Sequence, residues 1–243
     1  MDKDNTMIRL DDVCFSYASE KPVLEKVNFA LKQGDKLGLI GPNGSGKTTF
    51  LHIIMGLVAA TSGSVRIFGK AVKREKEFRR VRQKIGLLFQ NADDQLFSPT
   101  VLEDVAFGPL NLGKTPEEAR ERSLKTLEDL NLKGFEDRVT HMLSGGEKKL
   151  VALATVLVME PRVLLLDEPT TGLDEDTNQR IMGILNNLRI SYVIVSHEYD
   201  FLSRTTREIY RFEKGRVLYD GDSTTLHSHY HRHPAGRVPH EHD

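Results

Sequence analysis

Three features of this 243-residue sequence predict an α/β fold with a parallel sheet, an N-terminal antiparallel β subdomain and an inserted α-helical subdomain. Short apolar strands alternate with helices from residue 36 onward. The turn GPNGSGKT, Gly41 to Thr48, joins a strand to a helix. From Thr100 to Met159 the strand signal gives way to helical periodicity.

Ile8 to Tyr17 and Val27 to Leu31 alternate apolar and polar residues, as half-buried antiparallel strands do, with a turn at residues 20 to 22. Lys36 to Ile40 reads as a strand and Thr48 to Val58 as an apolar helix. Ser64 to Phe68 and Ile85 to Phe89 read as further strands, the last feeding Gln90. That rhythm implies one parallel sheet. In TPEEARERSLKTLEDLNL, Thr115 is placed to cap a helix, with Pro116 in its first position and Glu118 completing a capping box. Strands return at Val163 to Leu166 and Tyr192 to Val195, around a helix at Asp176 to Leu188, and a hairpin is expected at Lys214-Gly215. This organisation gives one domain over residues 1–222, with the helical subdomain at about 91–160. A flexible histidine-rich tail is expected over 223–243.

The composition excludes several functions. A formal net charge of -1 provides no overall field for nucleic acid or an anionic membrane surface. The basic stretch Lys70 to Lys84 is diluted by Glu75 and Glu77 and has no interleaved aromatic platform, so it reads as a solvated helix face; no nucleic-acid partner is expected. With Cys14 as the single cysteine, neither an internal disulfide nor a thiolate metal cluster can form, which fits a reducing compartment. The most apolar window, Leu150 to Met159, has ten residues, where a membrane span needs about 20. The residues after Met1 lack the uninterrupted apolar region of a secretory signal. Any membrane passage is therefore expected to come from another chain.

GPNGSGKT fits the phosphate-loop pattern in full. Gly41, Gly44 and Gly46 let the backbone amides curl inward, and Pro42, Asn43, Ser45 and Thr49 complete the cradle. Lys47 is placed to reach the β- and γ-phosphates, and the Thr48 hydroxyl to ligate Mg2+. In VLLLDEP an apolar strand delivers Asp167 to its carboxyl end as a second metal ligand. Glu168 follows it as the group that takes a proton from, or orients, an attacking water. LSGGE, Leu143 to Glu147, opens another helix: Ser144 is its cap, while Gly145 and Gly146 leave bare N–H groups at a positive helix end.

These motifs, with a strand ending in Gln90, TTGLD and IVSHE, occur in the order found in the ATP-binding-cassette ATPases, and the chain resembles that family from about Ile8 to Gly221. The resemblance implies ATP and Mg2+ as cofactors. It implies that Tyr17 stacks on adenine, that Gln90 senses the metal and the attacking water, and that His197 contacts the γ-phosphate. Ser144 and Gly146 would bind the nucleotide of a second copy, with Asp174 at the shared seam. Two positions depart from the family pattern. Glu147 stands where glutamine is frequent and is expected to turn back onto the Ser144 backbone. Leu150 stands where arginine is common.

NADDQLFSPTVLEDVAFGP resembles the matching segment of energy-coupling-factor importers, particularly those for cobalt or nickel. That resemblance implies a peripheral ATPase at the cytoplasmic face of the cell membrane, whose integral membrane partners dock near Gln90, Asp93, Asp94 and Gln95. The histidines at 227, 229, 231, 233, 240 and 242 suit borderline divalent metals. The alternatives are an importer of another small solute, such as a vitamin, and a soluble ABC ATPase outside transport.

Overall fold

The computed structural model describes residues 5–18 and 21–223. Part of the first expected turn and the expected tail after Ser223 lie outside the described residues; Ser223 itself belongs to the folded domain, buried with its hydroxyl donating to the Thr206 carbonyl at 2.7 Å. β1 (Thr6–Phe15) and β2 (Leu24–Lys32) pair antiparallel, as their alternation predicts. β3 (Lys36–Ile40) leads through the glycine loop into α1 (Lys47–Met55), which stops at Gly56 rather than running to Val58.

β4 (Ser62–Ile67) corrects the expected βαβ rhythm: it pairs antiparallel with β1, outside the parallel sheet, and β5 (Lys70–Ala71) extends that sheet. The reason lies in its side chains, since only alternate residues near its end are buried. A central parallel strand must be apolar on both faces. α2 (Glu75–Val81) occupies the basic stretch, burying Phe78 and Val81 while its charged residues face solvent.

β6 (Ile85–Leu88) enters the main sheet. α3 (Val101–Asn111), α4 (Pro116–Asp129) and α5 (Gly145–Leu157) follow. The predicted capping box of α4 is present: the Thr115 amide donates to Glu118 Oε2 at 3.1 Å and the Glu118 amide to Thr115 Oγ1 at 3.2 Å. β7 (Val163–Asp167), α6 (Glu175–Asn187), β8 (Ser191–Val195), α7 (Tyr199–Thr205) and the hairpin β9 (Glu208–Glu213) and β10 (Arg216–Asp222) complete the described chain.

The main sheet has the order β10-β9-β3-β8-β7-β6. β9, β3, β8, β7 and β6 run parallel, and β10 closes the edge antiparallel. β7 and β8 are buried along their whole length. One apolar core packs α1, through Phe50, Leu51, Ile53 and Ile54, against both sheets; a second packs the main sheet against α5, α6 and α7. Each such buried side chain contributes roughly 1.5–3 kcal/mol. The arrangement brings the carboxyl ends of β3, β6, β7 and β8 to one rim. In open α/β sheets that rim is where ligands bind. Among the described residues no helix is long and apolar enough to cross a membrane.

Candidate active site

The glycine loop owes its shape to backbone that side chains would obstruct. Gly41, Gly44 and Gly46 all have positive φ, and a Cβ on Gly41 would sit 2.6 Å from the Phe212 carbonyl oxygen. Gly46 forms the N-cap of α1 without any side-chain cap, and no acidic residue occupies the first turn. Lys47 is buried and folds over its own loop, donating to the Gly41 and Pro42 carbonyls at 2.7 and 3.0 Å. Burial lowers its pKa, opposed by the charges of Glu168 and Asp167. Asn43 is exposed, and the Ser45 hydroxyl is buried with no partner. Thr49 meets the Tyr17 hydroxyl at 3.2 Å. Tyr17 lies past the end of β1, not within it, with its ring half exposed and edge-on to Phe15.

Thr48 Oγ1 donates to Asp167 Oδ2 at 2.7 Å, whereas Oδ1 of Asp167 is buried without a partner. Asp167 is 4% exposed, and burial raises its pKa, an effect the Thr48 hydrogen bond opposes. A cleft of about 540 Å³ is lined by Thr48, Asp167 and Gln90, together with His52, Asp94 and Thr171. His52 was not foreseen, although its place one helical turn after Thr48 sets it on the same face of α1.

Glu168 leaves β7 in the left-handed region, φ 47°, a backbone strain typical of functional positions. Its amide donates to the Val195 carbonyl at 2.9 Å, tying it to the end of β8. His197 Nδ1 lies 2.9 Å from Glu168 Oε2, and the Thr171 hydroxyl donates to the same oxygen at 3.2 Å. Glu168 is thus buried at 6% exposure with one oxygen engaged by two groups, while the His197 side chain is open to solvent.

The second helix end is built differently. Ser144 caps α5, its hydroxyl accepting the Glu147 amide at 3.3 Å, and Glu147 Oε2 accepts the Ser144 amide at 2.8 Å, as the sequence predicts. Arg138 pairs with the other Glu147 oxygen at 2.9 Å. The Ser144 amide, before the Arg138 charge, holds the Glu147 carboxyl below its usual range. Ser144 and Gly145 are exposed. Gly146 is wedged against α6, where an added Cβ would meet Thr177 Oγ1 at 2.7 Å. Asp174 caps α6 through the Thr177 amide and hydroxyl at 2.8 and 3.0 Å. Ser144, Gly145, Gly146 and Asp174 do not line the cleft that holds Thr48, Gln90 and Asp167.

The expected docking residues divide. Asp93 is paired with Lys148 at 2.6 Å. Gln95 is spent inside the fold: its amide donates to the Ala152 carbonyl and Thr155 hydroxyl at 2.8 Å, and its Oε1 accepts the Phe89 amide at 3.1 Å. Asp94 stays exposed. Beside this loop is an apolar groove of about 320 Å³ lined by residues of β6, α3 and α5, with Phe97 67% and Phe107 47% exposed. Sequence reasoning missed this feature because its wall joins residues far apart in the chain.

The ABC transporter family profile matches residues 24–171. A putative ABC transporter ATP-binding protein of Nitratidesulfovibrio vulgaris is 53% identical, over 98% of this chain and 87% of that protein. The energy-coupling factor transporter ATP-binding protein EcfA of Methanothermobacter thermautotrophicus is 44% identical, over 88% of this chain and 70% of its own. Among solved structures, the dimeric ATP-binding cassette MJ0796, in a post-hydrolysis state bound to ADP and Pi, superposes with a TM-score of 0.81. It shares 30% identity, over 88% of this chain and 98% of that one. With a phosphate loop, an acidic strand end and a serine-capped helix placed as described, the chain belongs to the ABC transporter family and is an ATP-binding, ATP-hydrolysing member of it.

Proposed function

We propose that this ATPase is the peripheral subunit of an energy-coupling-factor importer, acts as a pair of copies at the cytoplasmic face of the cell membrane, and drives uptake of a divalent transition-metal cation, cobalt or nickel. The observation that carries the reading is the separation within one copy of two anion-ready helix ends. The α1 end is completed by Lys47, while Ser144 and Gly145 face outward from α5. A second copy brings its own Ser144, Gly145 and Gly146 to the terminal phosphate, so ATP binding joins the copies and hydrolysis parts them. The dimeric relative bound to ADP and Pi supports this reading.

In the reaction, Glu168 takes a proton from water as the water oxygen bonds to the γ-phosphorus and the bond to the bridging oxygen breaks, releasing ADP and phosphate. His197 holds Glu168 through Nδ1 and turns its other ring nitrogen to the γ-phosphate. Tyr17 stacks on adenine. The orphaned Oδ1 of Asp167, next to the Thr48 hydroxyl in the cleft lined by Gln90, fits a divalent cation. Magnesium, when bound, supplies positive charge to the phosphate oxygens, and Thr48, Gln90 and Asp167 would hold it.

The membrane partner docks in the apolar groove beside Phe97 and Phe107, next to the 89–95 loop on which Asp94 stays exposed. Cobalt or nickel as cargo is supported by the segment from Asn91 to Pro109 and by six interleaved histidines after residue 226. Uptake of labelled cobalt or nickel by cells expressing this chain with its membrane partners tests the reading. ATP-dependent uptake that Glu168→Gln abolishes is expected; uptake of a different solute, or purification free of any membrane protein, contradicts it.

A further inference from the structure

Lys149 is the cation that neither the phosphate loop nor the surface accounts for. It sits in the second turn of α5 at 3% exposure, with its ammonium turned inward rather than along the helix to water. Burial pulls its pKa down to about 8, against the raising influence of Asp167 and Glu168. No carboxylate lies within ion-pair distance of it among the described residues; its Nζ donates instead to the Phe89 carbonyl at 3.2 Å and the Gln90 carbonyl at 2.5 Å. Burying an ammonium is costly, so a lysine kept here must be matched by what it grips.

What it grips is the backbone of Gln90, the residue read above as sensing metal and water. Lys148–Asp93 and the two Gln95 amide bonds staple the rest of the 89–95 loop to α5, but Lys149 alone among these residues holds Gln90 itself. It stands five residues after Ser144 on the same helix, about 7.5 Å along the axis. Helix and loop are therefore mechanically continuous from the outward anion end to the wall of the cleft.

We propose that Lys149 is a positioning residue for ATP hydrolysis: it locks the Gln90 backbone to α5, so that seating the Ser144 end on a phosphate brings Gln90 into register with Asp167 and Glu168. The inference rests on the reading of Gln90 and of the α5 end given under the proposed function. Lys149 touches no substrate and acts through Gln90.

The test is a double-mutant cycle on the purified full chain with Gln90→Ala and Lys149→Met, read by steady-state ATP turnover and by hydrogen exchange. Lys149→Met is expected to lower kcat about 10–100-fold, the scale of a misplaced site, with KM for ATP changed by less than about 3-fold. Amides of residues 89–95 are expected to exchange at least about 10-fold faster while those of α1 do not. Because Lys149 acts through Gln90, the double variant should be no slower than the slower single variant. Lys149→Arg, which keeps the charge and donors, should restore part of kcat. Losses that multiply in the double variant, or unchanged loop exchange, overturn the proposal while leaving the reading of Gln90 standing. Full turnover in Gln90→Ala overturns that reading first. Should Lys149→Met fail to fold, Lys149→Gln carries the same measurements with a neutral donor.

Discussion

The two helix ends proposed to meet phosphate, those of α1 and α5, differ in how their orphan amides are treated. α1 starts at a glycine in left-handed conformation with no side-chain cap and no acid in its first turn, and a buried lysine curls over the loop before it. α5 starts with a complete capping box in which Ser144 and Glu147 satisfy each other's amides. The first is a finished anion site. The second is half closed, its remaining amides exposed and its own carboxylate nearby. On the proposed reading a triphosphate is bound by α1 alone, whereas α5 gains an anion only when another copy presents one.

The comparison breaks most sharply at the chemistry. Glu168→Gln should lower turnover about 10²–10⁴-fold, the range of a lost general base, and leave ATP affinity intact, trapping a pair of copies. Turnover and nucleotide-dependent sedimentation check this. Lys47→Ala should weaken ATP binding by about 100-fold or more, because a charged partner of the phosphates disappears; equilibrium titration with labelled nucleotide measures it. Gly145→Glu, at the exposed end of α5, should leave single-copy ATP affinity unchanged while cutting turnover about 10–100-fold, because its carboxylate repels the terminal phosphate of the other copy. If it lowers ATP affinity of the separate copy as well, α5 serves its own loop and the comparison fails. Glu147→Gln keeps the capping geometry but removes the negative charge, so ATP-driven pairing should tighten by only about 2–5-fold, the worth of one charge at a helix end. Dilution of the ATP-bound pair would read that shift.

Local features were legible in the sequence. The glycine loop, the capping boxes at Thr115 and Ser144, and the acidic end of β7 each depend on residues within a few positions, so spacing alone reveals them. The helix-then-strand rhythm puts β4 in the parallel sheet, whereas its half-polar pattern suits the antiparallel pairing with β1 that the fold adopts. Lys149 and Gln95 were not legible. The bonds that join them across the loop and α5 span 57 to 60 residues, and within an apolar helix nothing in the spacing distinguishes a lysine that reaches inward from one that reaches water. The surroundings of the expected docking residues were hidden for the same reason: Asp93 and Gln95 look free in sequence but are engaged by α5, and the exposed Phe97 and Phe107 come together at 4.7 Å only through the fold.

The central claim, that each catalytic centre is completed by the neighbouring copy, is tested most directly by an experimental structure of the ATP-loaded Glu168→Gln pair. The account predicts the Ser144 hydroxyl and Gly146 amide of one copy within about 3 Å of the terminal phosphate oxygens held by Lys47 of the other. Nucleotide closed in by one chain alone, with the α5 ends of both copies turned to solvent, would contradict it.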